Sequence, residues 1–522
     1  MNSTSDKSDM ALFWGCFIAL ITTSYAFISR MILCGGDFIS DFGLDKVAVG
    51  ELQGAGIWPF GVSIIIFSLF IDKIGYKTAM VFSFISYLAY TALAIMAYGA
   101  IQGVEGDALV AAQAKGYKLL TWGSIILGLG NGAVEAYINP VVATIFRKDK
   151  VKWLNILHAG WPAGLVLGGL CTIALASNAD WRITLGLILV PAIIFFFMLI
   201  GAKFPKSERE QAGVGYVDML KELGIFGAFV GFGLVVAELG RVFAWPQTLS
   251  WALTLLIVGA FAVITKSFGR IILAILIIIM MPLATAEIGT DGWISSLMEG
   301  PMKAAGHHPA WVLVYTSAIM MVLRFFAGSI VSRISPLGLL AGSAVLAIIG
   351  LSSLAAATSL VAIFIAATVY AFGKTFFWPT TLAVVSEQTP KGGALTLNAI
   401  GGIGMLAVGI LGGPVIGAIT EQTAETAIVQ QTNAETYAKV SKDGSYVLGS
   451  YKAIDAEKVA TLAKTDKATA EKITAAREGA NQGALAKIAM FPMFMLACYI
   501  GLILWFRSRG GYKAEVIGAG GH

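Results

Sequence analysis

The chain has 522 residues, 57% of them hydrophobic and 13% charged, with a formal net charge of +5. Soluble domains carry roughly 25% charged residues, so a water-soluble globular protein is excluded and lipid is the solvent for most of the surface. The basic residues sit in short clusters between apolar runs rather than along one face, which excludes a nucleic-acid partner.

A spanning helix needs about 20 mostly apolar residues. Fourteen segments qualify. Six lie at 10–34, 47–71, 78–98, 118–146, 153–177 and 183–203. Two more follow a polar stretch, at 222–243 and 249–267. The last six lie at 269–299, 309–334, 337–358, 360–387, 393–420 and 486–508. The first ten residues are polar and the apolar run behind them is long, so the first segment reads as an uncleaved membrane helix rather than a signal peptide. This order predicts an all-α polytopic membrane protein: a six-helix bundle over 1–203, a linker with two inserted helices over 204–268, and a second six-helix bundle over 269–522.

With the N-terminus inside, the inside segments carry eighteen Lys and Arg residues and the short outside loops six (Lys46, Lys115, Lys118, Arg182, Arg241 and Lys303). That bias predicts both termini in the cytoplasm. It places the long loop 421–485 outside, where its Ala, Thr, Lys and Glu predict one or two solvated helices without a strong apolar face, dispensable for the work of the membrane part. Cys16, Cys34, Cys171 and Cys498 fall inside apolar segments and read as buried thiols, not a disulfide or metal framework. His307 and His308 read as solvated in an outer loop.

Ionisable side chains inside spans are costly and usually face a bundle interior or a cavity. Asn131, Glu135 and Asn139 are spaced to share one face of the fourth segment, as are Asn155, His158 and Trp161 on the fifth. Glu287 and Asp291 share a face with Trp293 nearby, and Lys374 and Trp378 share another. Amides and carboxylates beside tryptophans suit a sugar: they bond hydroxyls while indoles cover apolar ring faces. Asn139, standing before Pro140, has a second reading as a satisfier of backbone freed by the proline. Arg324 reads as a structural partner near the cytoplasmic gate. Glu238 and Glu51 read as local to their outer helix ends. No nucleophile–base pair or metal-ligand set stands near an interface, so neither enzyme activity nor a metal or cofactor is expected.

The loop after the second segment reads S-L-F-I-D-K-I-G-Y-K (68–77), which resembles the major facilitator pattern G-x-L-a-D-R-x-G-R-K. The match puts Asp72, Lys73, Gly75 and Lys77 on its key positions, with Ser68 in place of the first glycine. An echo stands at 328–336, G-S-I-V-S-R-I-S-P, where Ser332 replaces the acid and Arg333 keeps the base. Two such loops indicate an internal repeat. Within that superfamily the chain resembles the fucose–galactose–glucose:proton symporters. The resemblance is carried by L-D-K-V-A-V-G-E-L-Q (44–53), by Glu135, Asn139 and Pro140 in E-A-Y-I-N-P, by A-E-I-G (286–289), and by R-F-F-A-G-S-I-V-S-R-I-S-P with F-F-W-P-T (376–380). It implies a proton- or sodium-coupled symporter of small sugars, working by alternating access as a monomer in a bacterial cytoplasmic membrane. It also implies Glu135 as coupling carboxylate, with Glu287 and Asp291 as further candidates. Arg30 and Met31 stand where the family has a first-helix acid. The inserted pair and G-W-P-A-G-L-V-L-G-G (160–169) resemble fourteen-helix antiporters instead, so export of an amphipathic compound and solute sensing stay open as alternatives.

Overall fold

The structure, a computed structural model, describes residues 3–34, 37–44, 46–175, 180–331, 333–446 and 449–517. Thirteen of its helices are long and apolar enough to cross a membrane. The first six spans are Lys7–Cys34, Ala48–Ile74, Tyr76–Ile101, Asp107–Ile145, Lys150–Cys171 and Trp181–Ile200. The inserted pair is Tyr216–Val242 and Gln247–Thr265, and the later spans are Ile271–Leu297, Pro336–Ala356, Leu360–Gln388, Pro390–Gln431 and Lys467–Arg507. The fourteenth segment expected, 309–334, forms only the 15-residue helix Trp311–Phe325, a turn at Phe326 and a stub, Ala327–Val331. It keeps its place in the second bundle but is too short to count as a full span. The result is an all-α, multi-pass membrane protein of two six-helix bundles with a helix pair inserted between them. Large apolar side chains face outward, among them Phe197, Leu256, Val263 and Ile271 at 69–74% exposed, a surface that lipid tolerates and water does not.

Most spans are interrupted, and the interruptions have local causes. Pro59 opens the helix Trp58–Ile74, which follows a break after Lys46–Gly54. Arg30 closes that break: its guanidinium donates to the Leu52 carbonyl at 2.8 Å and to the Gln53 carbonyl at 3.0 Å while 1% exposed. The residue standing in place of a first-helix acid therefore caps this break, satisfying the Leu52 carbonyl and sharing the Gln53 carbonyl with Gly56 N. Two single π-turns, Thr285–Gly289 and Val408–Gly412, bend the helices that begin at Ile271 and Gly393, and a Cβ on Gly412 would lie 2.4 Å from the Thr285 hydroxyl.

The inserted helix Tyr216–Val242 is kinked at Gly224, where φ is 62°. The kink lets the chain 266–270 run alongside it: Ile225 N donates to Ser267 O at 2.9 Å, Phe226 N to Phe268 O at 3.2 Å, and Arg270 N to Glu222 O at 3.0 Å. A side chain at Gly224 would meet Gly269 N at 2.1 Å, so only glycine permits this pairing. Glu238 bonds Arg241 one turn on, a local role, whereas Glu51 is exposed and accepts from the Tyr117 hydroxyl of the fourth span at 2.9 Å.

The segment 421–485 is a small folded unit and not only solvated helix. The helix Gly413–Gln431 runs into it, followed by Ala434–Val440, a hairpin of Ser441–Tyr446 and Gly449–Ile454, then Ala456–Thr465 and Lys467–Ile488. The strands pair antiparallel with Lys442 opposite Ala453. They carry Ser, Lys, Asp and Gly, a composition with low strand propensity, which is why no strand was expected. The unit has its own core of Ile428, Tyr437, Val440, Ile454 and Ile473 with small alanines. Glu421 ties it together, accepting from Arg477 at 3.1 Å and from Ile454 N at 2.9 Å. Gln482 seats it on the end of a span by donating to the Leu354 and Ala357 carbonyls at 2.9 and 2.6 Å.

The expected sidedness has a direct check. Ser450 and Ser508 are both exposed. Single cysteines there, in a background without the native four, are expected to label from opposite faces of the membrane with an impermeant thiol reagent. Labelling of both from one face overturns the topology.

Candidate substrate cavity

Between the bundles lies a cavity of about 340 Å³. Phe60, Glu135, His158 and Trp161 line it from the first bundle, and Glu287, Ile288, Arg324, Trp378 and Met405 from the second. Glu287 reaches the cavity from the π-turn Thr285–Gly289, a distortion that often marks functional positions.

Arg324 organises the wall. It is 1% exposed and engages three acceptors. Its Nη2 donates to the Glu287 carboxylate at 2.8 Å, Nη1 to the His158 carbonyl at 2.6 Å, and Nε to the Thr375 carbonyl at 2.8 Å. The second oxygen of Glu287 accepts from Trp378 N at 3.1 Å. Arg324, read from sequence as a structural partner near the cytoplasmic gate, makes these buried bonds on the wall of the cavity.

Glu135 has a different setting. Its Oε2 accepts from the Asn139 amide at 2.7 Å, and the same amide also donates to the Glu135 carbonyl at 3.0 Å. The Asn139 oxygen lies 2.9 Å from His158 Nε2. Because the amide nitrogen is already donating, His158 is the donor of that bond. Among the described residues Glu135 forms no ion pair, whereas Glu287 pairs with Arg324 and Asp291 with Lys374. The Asn139 reading as a proline satisfier is corrected: the carbonyl freed by Pro140 is that of Ala136, and it accepts from Asn398 at 2.8 Å.

Lys374 is fully buried, bonded to Asp291 and to the Thr316 hydroxyl at 3.2 Å. This pair stands behind the wall rather than on it. Asn131 accepts from the Tyr87 hydroxyl at 2.9 Å inside the first bundle. Asn155 donates to the Thr380 hydroxyl at 3.2 Å, linking the bundles. Trp293 packs over Gly413 and Gly417. Of the substrate-binding set expected from sequence, His158, Trp161 and Trp378 line the cavity, while Asn131, Asn139, Asn155, Trp293 and Lys374 do not. Phe60, Ile288 and Met405 were missed, because an apolar residue in an apolar span carries no signal of its own.

The model of the Major Facilitator Superfamily matches residues 11–286, more than half of the chain. The chain belongs to the major facilitator superfamily. Its fold is similar to that of the proton:xylose symporter XylE, at 13% identity and a TM-score of 0.57 over 94% of this chain and 96% of that one. It is also similar to the human organic anion transporter MFSD10, at 11% identity and a TM-score of 0.53 over 95% and 100%. A third likeness is to the E. coli fucose:proton symporter FucP, at 14% identity and a TM-score of 0.50 over 92% and 98%. At these identities the likeness is one of fold.

The loop 68–77 is held by a buried ion pair. Asp72 accepts from Arg209 Nη2 at 2.7 Å, with both side chains nearly buried, and Gly75 takes φ of 83° at the turn. Lys73 lies 4.2 Å from the Tyr216 ring centroid. Lys77 and Arg333 are exposed, and Ser332 lies outside the described residues. Arg209 was not singled out from sequence, since it stands in a run of charges. The signal available was the capping box Ser207–Glu210, which fixes the short helix presenting it.

Removing one partner of a buried ion pair costs about 3–5 kcal/mol, because the other charge is left uncompensated. Glu287→Gln and Arg324→Gln are each expected to lower the thermal stability of purified protein strongly. The double variant, which buries neither charge, is expected to lose much less than the two losses combined. Additive losses overturn the pairing.

Proposed function

We propose that the protein is a secondary active transporter that takes up a monosaccharide or similar small polyhydroxyl solute with a proton, by alternating access. In this reading the bundles 1–203 and 269–522 rock about the cavity, and the chain works as a monomer in a bacterial cytoplasmic membrane. The observation that carries it is the composition of the wall. Two tryptophans, one from each bundle, face a cavity that also presents a carboxylate held only by an amide. Indoles cover the apolar faces of a sugar ring while carboxylate and imidazole bond its hydroxyls.

Arg324 supports a neutral solute over an anion, because carbonyls and Glu287 already engage it. Phe60, Ile288 and Met405 on the same wall support the second reading, antiport of an amphipathic compound. A thermal-shift screen against sugars and amphipathic cations separates the two, since a ligand at about 100 times its Kd adds about 2.7 kcal/mol.

Glu135 is the proposed proton carrier. Glu287 and Asp291 each face a cation, so their charges are already balanced. Glu135 ionised leaves the region with one uncompensated negative charge, which a proton or sodium ion removes. Lys374 and Asp291 serve in this reading as a balancing pair in the second bundle, and the Asp72–Arg209 lock as part of the gate. Glu135→Gln keeps shape and hydrogen bonding while removing titration. It is expected to abolish gradient-driven accumulation in vesicles and to preserve counterflow exchange. Unchanged concentrative uptake overturns the assignment.

A further inference from the structure

A helical proline has no N–H, so the carbonyl four residues before it loses its intrahelical partner. Pro140, Pro162 and Pro379 free the carbonyls of Ala136, His158 and Thr375. Each of these carbonyls accepts from a side chain. Asn398 Nδ2 reaches Ala136 O at 2.8 Å, Arg324 Nη1 reaches His158 O at 2.6 Å, and Arg324 Nε reaches Thr375 O at 2.8 Å. The first two bonds run from the second bundle to the first.

These two bonds have company. Asn155 donates to Thr380 across the same interface at 3.2 Å, and Lys150 to the Ser386 carbonyl at 3.3 Å. Below the central cavity lies a second one of about 300 Å³, walled by Pro140 and Thr144, by Glu208 of the linker, and by Ser386, Thr389 and Leu397. Ala136 adjoins Glu135 of the upper cavity, and Asn398 adjoins Leu397 of the lower. The Asn398–Ala136 bond crosses between the bundles on the stretch of helix that runs from Glu135 of one cavity to Pro140 of the other. The amide oxygens of Asn155 and Asn398 are buried and have no hydrogen-bond partner among the described residues. Such oxygens are costly in a closed interface and gain water when it parts.

We propose that Pro140 and Pro162 are positioning residues of the inner gate, acting through what they lack. Each withdraws one N–H from its own helix and so offers a backbone carbonyl to a donor on the opposite bundle. The latch made this way is exchangeable. An N–H of the same helix would hold the carbonyl permanently, whereas a side chain across a moving interface holds it only while the bundles are together. Closed, the gate gains the Asn398 and Arg324 bonds; open, the carbonyls and both unpartnered amide oxygens turn to water. Neither state is strongly preferred, which a gate that cycles requires.

The inference rests on the transport reading for its purpose, but its test reads the gate without any substrate. In a cysteine-free background, Thr389→Cys places a thiol on the wall of the lower cavity, where Thr389 is 1% exposed. Its labelling by an impermeant reagent from the inner face reports opening. Asn398→Ala is expected to speed labelling about fivefold, the ratio that corresponds to one lost hydrogen bond of ~1 kcal/mol. Pro140→Ala, which restores the helical N–H, is expected to do the same. The double variant is expected to be no faster than either alone, because both remove one bond. Pro162→Ala is expected to speed labelling too and to multiply with Pro140→Ala, since it acts on a separate carbonyl. It gives the same reading at a second site should Pro140→Ala fail to fold. Additivity of Pro140→Ala with Asn398→Ala, or unchanged labelling in the single variants, overturns the proposal. Either result leaves the Glu135 uptake experiment to judge the transport reading separately.

Discussion

The buried guanidinium of Arg324 holds the centre of this molecule together. A charge at membrane depth persists only if every direction it faces is answered, and here the answers come from three spans. Glu287 supplies the opposite charge from a π-turn, and two prolines leave carbonyls at the right places on separate helices. None of the three contributions is useful alone. A π-turn without the arginine buries a bare carboxylate, and the prolines without it leave unpaired carbonyls. The cavity forms in the space between these obligations, with tryptophan faces closing its sides.

The number and order of the spans were legible because lipid imposes a length on every apolar run. The exception is instructive. Residues 309–334 are apolar enough throughout, but the helix ends at Phe325 and resumes only as a stub; hydropathy measures solubility in lipid and not helix continuity. The hairpin in 441–454 was illegible for the opposite reason. Most of its residues are Ser, Lys, Asp and Gly, so its few strand formers, Tyr446, Tyr451 and Ile454, give no alternating pattern, and the fold comes from packing on the helix Gly413–Gln431 and from the Glu421 contacts. Alanines at 470, 476, 480 and 484 bury one face of Lys467–Ile488, but alanine marks an apolar face too weakly to be read in advance.

For the cavity, helical spacing found the polar residues and could not rank them. Glu135 and Asn131 share a face by period, yet one turn separates a cavity wall from a bundle interior, and Asn131 faces Tyr87 instead. Lys374 and Asp291 lie on different spans and meet only through tertiary packing. The most informative sequence feature was proline, read at first as something a neighbouring asparagine repairs. The repair comes from the other bundle, more than 250 positions away in the chain, at Asn398, which no local pattern can announce.

The start of the inserted helix also joins the two bundles. Tyr216 donates to the Leu69 carbonyl of the first bundle at 2.5 Å. Within two to three helical turns the same helix is sewn to the chain that begins the second bundle, through Glu222, Ile225 and Phe226. One short segment is thus pinned to both bundles beside the second span. A segment bonded to both bundles on one side acts as a tether between them. If the bundles rock as proposed, that tether keeps them close along the side of the second span, and the gap between them widens on the side away from the inserted pair.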